Sequence, residues 1–126
     1  MRPTAEYLDQ IRSVCRRLPE VEERPSHGAP TFFVRGKKSF LAVWADGHHD
    51  LTFPHLWCAA PVGTQEALVE SHPEQYFRPP YVGGRGWLGV RLDHGIDPGE
   101  VAELCEDAYR AVAPPALVGL IAGDIG

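Results

Sequence analysis

The residues most suggestive of chemistry are His48, His49, Asp50, His55 and Cys58, a crowd of metal-ligating side chains in one short stretch. Zinc and iron favour histidine and cysteine ligands at spacings that let them converge. No second ligand pair at structural-zinc spacing accompanies this group, and adjacent residues on a strand point to opposite faces. The expectation is therefore a polar turn at Asp46-Gly47-His48-His49, with no metal and no cofactor. Cys58 and His55 could pair as nucleophile and base. Their spacing on one strand, however, sends them to opposite faces. No serine or cysteine sits in an activating motif such as G-x-S-x-G. No catalytic residue is assigned, and the chain is expected not to be an enzyme.

Binding chemistry has more support. Gly83-Gly84-Arg85-Gly86 has the composition of a phosphate cradle, but such loops run into a helix N-terminus whose free N–H groups hold the anion. This one runs into a predicted strand, so it reads as a turn from which Arg85 can still meet an anion. Arg35-Gly36-Lys37-Lys38 is the most basic local feature. At the tip of a hairpin, Arg35, Lys37 and Lys38 could lie against a DNA backbone, where phosphate contacts supply affinity through counterion release. Arg12, Arg16 and Arg17 would extend the patch from the first helix. The competing explanation is that such cations keep a sheet edge from aggregating. Trp44, Trp57, Trp87, Tyr76, Phe77 and Tyr81 are many aromatics for a short chain. Most belong in a core. Trp57, Tyr81 and Trp87, with Arg85, are placed to line a groove for a flat small molecule.

The elements that must position these residues are legible from periodicity. Tyr7, Leu8, Ile11, Val14, Cys15 and Leu18 recur at helical spacing, with Thr4 as predicted N-cap and Pro19 as stop. A short strand at Val21–Arg24 and a loop to Pro30 follow. Thr31–Arg35 and Phe40–Trp44 read as a hairpin, and Leu51–Cys58 as an irregular or edge strand because of Pro54. A short helix at Gln65–Ser71, capped by Thr64, turns Ala67 and Leu68 inward. Residues 76–86 form a loop before a strand at Trp87–Leu92. Asp97, Pro98 and Glu100 form an N-cap, first-turn proline and capping box. They start a helix that buries Val101, Leu104, Cys105, Ala108, Tyr109 and Val112 and ends at Pro114-Pro115. Strands clustered between helices predict an α+β domain, an antiparallel sheet with helices packed on one face.

Composition sets the outer bounds. The 126 residues suit one domain spanning the chain, and 44% hydrophobic with 23% charged residues is ordinary for a globular core. No apolar run approaches the about 20 residues that cross a bilayer, so a cytoplasmic, non-membrane protein is expected. The three cysteines, Cys15, Cys58 and Cys105, form no C-x-x-C pair and read as buried structural thiols. The net charge of −5 is uneven. Residues 1–38 hold eight basic against five acidic side chains, a balance of +3. Residues 39–126 hold four against twelve, a balance of −8. An acidic whole opposes indiscriminate nucleic-acid binding, while the basic third permits a local anionic contact.

Several segments, in this order and spacing, resemble the MmcQ/YjbR family of small bacterial proteins, and its actinobacterial members most. They are Leu18-Pro19-Glu20-Val21-Glu22-Glu23, Ser26-His27-Gly28-Ala29-Pro30-Thr31-Phe32 and Gly36-Lys37-Lys38-Ser39-Phe40 in the first third. Trp57-Cys58-Ala59-Ala60-Pro61, Phe77-Arg78-Pro79-Pro80-Tyr81-Val82-Gly83, Gly86-Trp87-Leu88-Gly89-Val90-Arg91-Leu92 and Asp107-Ala108-Tyr109-Arg110-Ala111-Val112-Ala113-Pro114 continue it. The resemblance implies a two-layer CyaY-like fold with a double wing. It also implies DNA as a partner, which here would fall on Arg35, Lys37 and Lys38. Ala59 stands where the family pattern has a lysine, and Pro115-Ala116 where it has a basic pair, which weakens phosphate binding. Some members are encoded beside antibiotic biosynthesis genes, which implies drug binding or self-resistance and suits an aromatic groove. Frataxin-type relatives of the fold bind iron on acidic helix faces. Here the first helix mixes Glu6 and Asp9 with Arg12, Arg16 and Arg17, so that surface is missing.

Overall fold

The computed structural model describes residues 4–47 and 51–121. The chain runs α1 (Thr4–Arg16), β1 (Val21–Ser26), β2 (Ala29–Val34), β3 (Lys38–Trp44), β4 (His55–Cys58), α2 (Thr64–Ser71), β5 (Tyr76–Phe77), β6 (Leu88–Arg91), α3 (Pro98–Val112) and α4 (Pro115–Val118). The six strands form one antiparallel sheet in the order β1-β2-β3-β4-β6-β5. Helices α1 and α3 pack together over one face, as the clustering of strands between helices predicts.

The helix layer follows from two apolar stripes. Tyr7, Ile11, Val14 and Cys15 are buried on α1, and Val101, Leu104, Cys105, Ala108 and Tyr109 on α3. Two tyrosines satisfy their hydroxyls at the ends of this layer: Tyr7 donates to the Ile96 carbonyl at 2.6 Å and Tyr109 to that of Pro19 at 2.7 Å. Between β2 and β3 the register slips, with one extra residue on β3. This bulge lets the consecutive Phe40 and Leu41 both face the helices. Phe40 meets Tyr109 edge-on with ring centroids 5.7 Å apart.

Several elements differ from the periodicity reading. The predicted loop before Pro30 is a second hairpin, with Pro25 opposite Pro30. Pro25 is tolerated because β1 is an edge strand, and Pro30 because it lies just beyond the β2–β3 pairing, which begins at Thr31. The β1–β2 turn puts His27 and Gly28 at φ 52° and 81°, and the next hairpin turn puts Arg35 and Gly36 at 54° and 66°. Paired positive φ values suit the right-handed twist of hairpin strands, here in a two-residue β1–β2 turn and a three-residue β2–β3 one. The strand predicted from Leu51 narrows to His55–Cys58, and β5 interrupts the predicted loop. Gly63, at φ 88°, stands at the α2 N-cap in place of Thr64, which is already helical. Helix α2 turns Gln65 inward while Ala67 is exposed. Thr4 is likewise helical. Asp97 caps α3, accepting from the Glu100 N–H at 3.3 Å. The Glu100 carboxylate, expected to complete the box, instead accepts the Tyr76 hydroxyl at 2.6 Å. Pro114-Pro115 ends α3 but starts α4, since proline suits the first helical turn.

Candidate functional site

Sheet register decides which side chains share the face away from α1 and α3. Residues opposite one another in register project to the same side. Thr31 pairs with Ala42, Ala42 with Trp57, and Trp57 with Gly89, which also faces Phe77. Two residues along, Trp44 pairs with His55, and His55 with Arg91. These rows gather the aromatics on one surface. Trp44 and Trp57 lie 4.2 Å apart between ring centroids, Trp44 stacks on His55 at 5.6 Å, and Phe77 meets His55 at 5.7 Å. Gly89 is required here, because a Cβ on it would come within 2.4 Å of the Phe77 ring.

A groove of about 780 Å³ opens over this surface. Thr31, Ala42, Trp44 and Trp57 contribute to it from the sheet, Ser26 and His27 from the β1–β2 hairpin, and Tyr81, Val82 and Trp87 from the segment leading into β6. All three tryptophans of the chain line it. Trp57 and Trp87 are 6% and 8% exposed, so each offers an edge and is held firmly behind it. Tyr81 is 84% exposed and sits at φ 66°. His27, which also has positive φ, is explained by its hairpin turn. Tyr81 is the central residue of a tight three-residue turn, closed by the Val82 N–H donating to the Pro80 carbonyl at 2.7 Å. A bulky residue in the left-handed region is a strained choice that recurs at functional surfaces.

Gln65 holds the groove's third wall. It is buried on α2, and its side-chain amide donates to the Gly83 carbonyl at 2.8 Å and the Trp87 carbonyl at 2.5 Å. A buried amide with two carbonyl partners fixes the approach to β6 and so the position of the Trp87 ring. Arg85 lies on that segment with its guanidinium 5.3 Å from the Trp87 ring centroid. Of the predicted ligand-binding residues, Trp57, Tyr81 and Trp87 therefore meet in the groove, and Arg85 stands beside it. Sequence reasoning missed Trp44 and Gln65. Strand alternation puts Trp44 on the same side as Ala42, but only the pairing of β3 with β4 brings it to Trp57. Gln65 has no sequence signal beyond its place on a short amphipathic helix.

The predicted DNA-contacting cations gather at one end of the molecule, where α1 ends and the β2–β3 turn folds back on Glu20. Most of them meet carboxylates there. Arg12 makes a forked contact with Glu23 at 2.9 to 3.1 Å, which raises its pKa further. Arg16 reaches Glu23 at 3.9 Å. Arg35 reaches Glu20 at 3.2 Å and also accepts a structural role, its N–H donating to the Glu20 carbonyl at 2.9 Å. Lys37 and Lys38 are exposed and, among the described residues, make no ion pair.

Of the metal candidates, His48, His49 and Asp50 lie outside the described residues. His55 is buried on the aromatic face, its Nδ1 within 2.8 Å of the Phe53 carbonyl. Cys58, three residues on, is buried on the helix face as alternation predicts. Burial pushes its thiol pKa up, and a hydrogen bond with Cys105 together with burial does the same for Cys15. Thiols held protonated in this way are poor nucleophiles.

A model of the YjbR family matches residues 16–111. Among curated proteins nothing matches the chain. Among solved structures, the crystal structure of Deinococcus radiodurans protein DR2400, a DUF419 domain, is similar at a TM-score of 0.72 and 22% sequence identity, covering 94% of this chain and 94% of that one. At that identity the likeness shows the fold.

Proposed function

The chain belongs to the YjbR family, and from that premise we propose that it is a non-catalytic binding protein whose working surface is the aromatic groove, where it takes a flat, largely apolar small molecule. One observation carries this reading: every tryptophan of the chain lines the same concave surface, joined by an exposed tyrosine. Aromatic walls around a concave site with a few polar groups on its rim suit ligands with flat faces. Ser26, His27 and Ser39 supply those polar groups. The groove's volume falls within the roughly 300–1,000 Å³ typical of small-molecule sites. Because the tryptophans line the site, their own fluorescence reports occupancy. A panel of planar heteroaromatic compounds, screened by thermal shift and confirmed by tryptophan quenching, should yield ligands whose affinity falls about tenfold in Tyr81→Ala. Ligands that bind Tyr81→Ala and Trp87→Leu as well as the parent would remove the groove from consideration.

A second reading rests on Lys37 and Lys38. With Arg17 they are exposed and make no ion pair among the described residues, near where α1 meets the β2–β3 turn, which supports a DNA-backbone contact of the double-wing type. The ion pairs of Arg12, Arg16 and Arg35 count against a large footprint, since cations held by carboxylates release fewer counterions from phosphate. Titration into random duplex DNA at low and near-physiological salt separates the readings. A contact through two or three cations gives a log–log salt slope of about −2 to −3, abolished in Lys37→Ala/Lys38→Ala. Absence of binding at low salt would exclude it.

A further inference from the structure

Three arginines lie over aromatic rings of the open face. Arg24 lies 3.8 Å from the centroid of Phe33, Arg91 3.8 Å from that of Phe53, and Arg85 5.3 Å from that of Trp87. The first two have carboxylate partners within the chain: Arg24 pairs with Glu22 at 2.5 Å, and Arg91 with Asp93 at 2.8 Å. Arg85 has none among the described residues. It is also the one of the three that stands over a groove-lining ring. Among the described residues the groove is lined without a single aspartate or glutamate, although the chain carries seventeen and has a net charge of −5.

From this pattern, and resting on the groove reading above, we infer that the ligand is a planar aromatic acid whose carboxylate, sulfonate or similar anionic group is received by Arg85 at the Trp87 end of the groove. A guanidinium held over an indole within cation–π distance is partly ordered already and loses less freedom when it binds an oxyanion. The hydrogen bonds it then makes are charge-assisted. The acid-free lining removes the repulsion that the rest of this acidic protein would impose on an anion. Arg85 is thus a specificity-determining residue: the tryptophans receive the ring system and the arginine selects its charge.

The test uses the full chain and two probes sharing one ring system, 8-anilinonaphthalene-1-sulfonate and its uncharged counterpart N-phenyl-1-naphthylamine. Binding is read by probe emission and by energy transfer from tryptophan. The sulfonate should bind about tenfold more tightly than the neutral probe. Arg85→Gln should erase that preference and leave the neutral probe unchanged, and Arg85→Lys should retain part of it. Arg85 is exposed, so these variants keep the fold. Equal affinity for both probes, or a preference insensitive to Arg85→Gln, overturns the charge selection. Probe binding that is unaffected by Trp57→Leu and Tyr81→Ala overturns the groove reading itself. Binding that those variants weaken while Arg85→Gln has no effect keeps the groove and removes only the anion.

Discussion

Tyr81 is the residue at which local energetics and exposure conflict most. Its ring contributes little to the core at 84% exposure, and its left-handed backbone at φ 66° would suit glycine better. Stability alone gives no reason for a tyrosine there. Tyr81→Gly should therefore hold or raise stability, by up to about 1 kcal/mol after the added unfolded-state entropy is counted, while ligand affinity falls. Urea melts alongside a binding titration check both halves. Gly89 shows the opposite constraint. A methyl group there would meet the Phe77 ring at 2.4 Å, and the ring is braced by His55 and Phe53. Gly89→Ala should cost about 1–3 kcal/mol, the usual range for overpacking, and should lower affinity by shifting the aromatic face. An unchanged melting temperature would mean that Phe77 yields freely.

At the scale of elements, α2 acts as a brace. Its one buried side chain is Gln65, and the two carbonyls that Gln65 satisfies belong to the segment carrying Arg85 and Trp87. Gln65→Leu would take a donor from both carbonyls; that of Gly83 keeps the Gly86 N–H at 3.0 Å, while that of Trp87 loses its Gln65 partner, at about 1–3 kcal/mol. Faster amide exchange should then appear between residues 83 and 87 before it appears in α1 or α3. Uniform exchange across the chain would argue against a local brace. The end of β6 carries a pH-sensitive contact. Arg91 holds Asp93 below the ordinary carboxylate range through a forked hydrogen bond at 2.8 and 2.9 Å. A carboxyl whose folded pKa is lowered contributes stability above its unfolded pKa and loses it as pH falls through the folded value. Acid titration should thus shrink the stability difference between the parent and Asp93→Asn below about pH 4. A difference that stays constant down to about pH 2 would show that the pair contributes nothing.

The whole molecule separates two surfaces. One end carries the cations interleaved with Glu20, Glu22 and Glu23, and the open sheet face carries the aromatics. Helices α1 and α3 cover one side of the sheet, and on the other the aromatics line a groove in which Trp57 and Trp87 show only their edges. The two functional readings make opposite demands on salt. Ligand binding in the groove should change little with ionic strength for a neutral probe, and Lys37→Ala/Lys38→Ala should leave it within about twofold. DNA binding should collapse in both cases. Among the described residues no helix is long and apolar enough to cross a membrane.

Much of this was determined by the sequence itself. The apolar stripes of α1 and α3, the Asp97-Pro98 start, the hairpin around Gly36 and the choice of an α+β sheet protein all follow from periodicity and capping, which are local properties of the chain. Trp57, Tyr81 and Trp87 could be named as groove residues because the chain carries many aromatics for its length. Local rules could not say that Trp44 would join them, that Arg85 would lack the carboxylate its counterparts have, or that Glu20 and Glu23 would occupy the arginines proposed for DNA. They did not reveal β1's full length or the role of Gln65 either. Each of these depends on which strand lies beside which and on contacts between residues far apart in the chain. Side-chain direction is written into a strand with a period of two, but its neighbours are chosen only when the sheet closes.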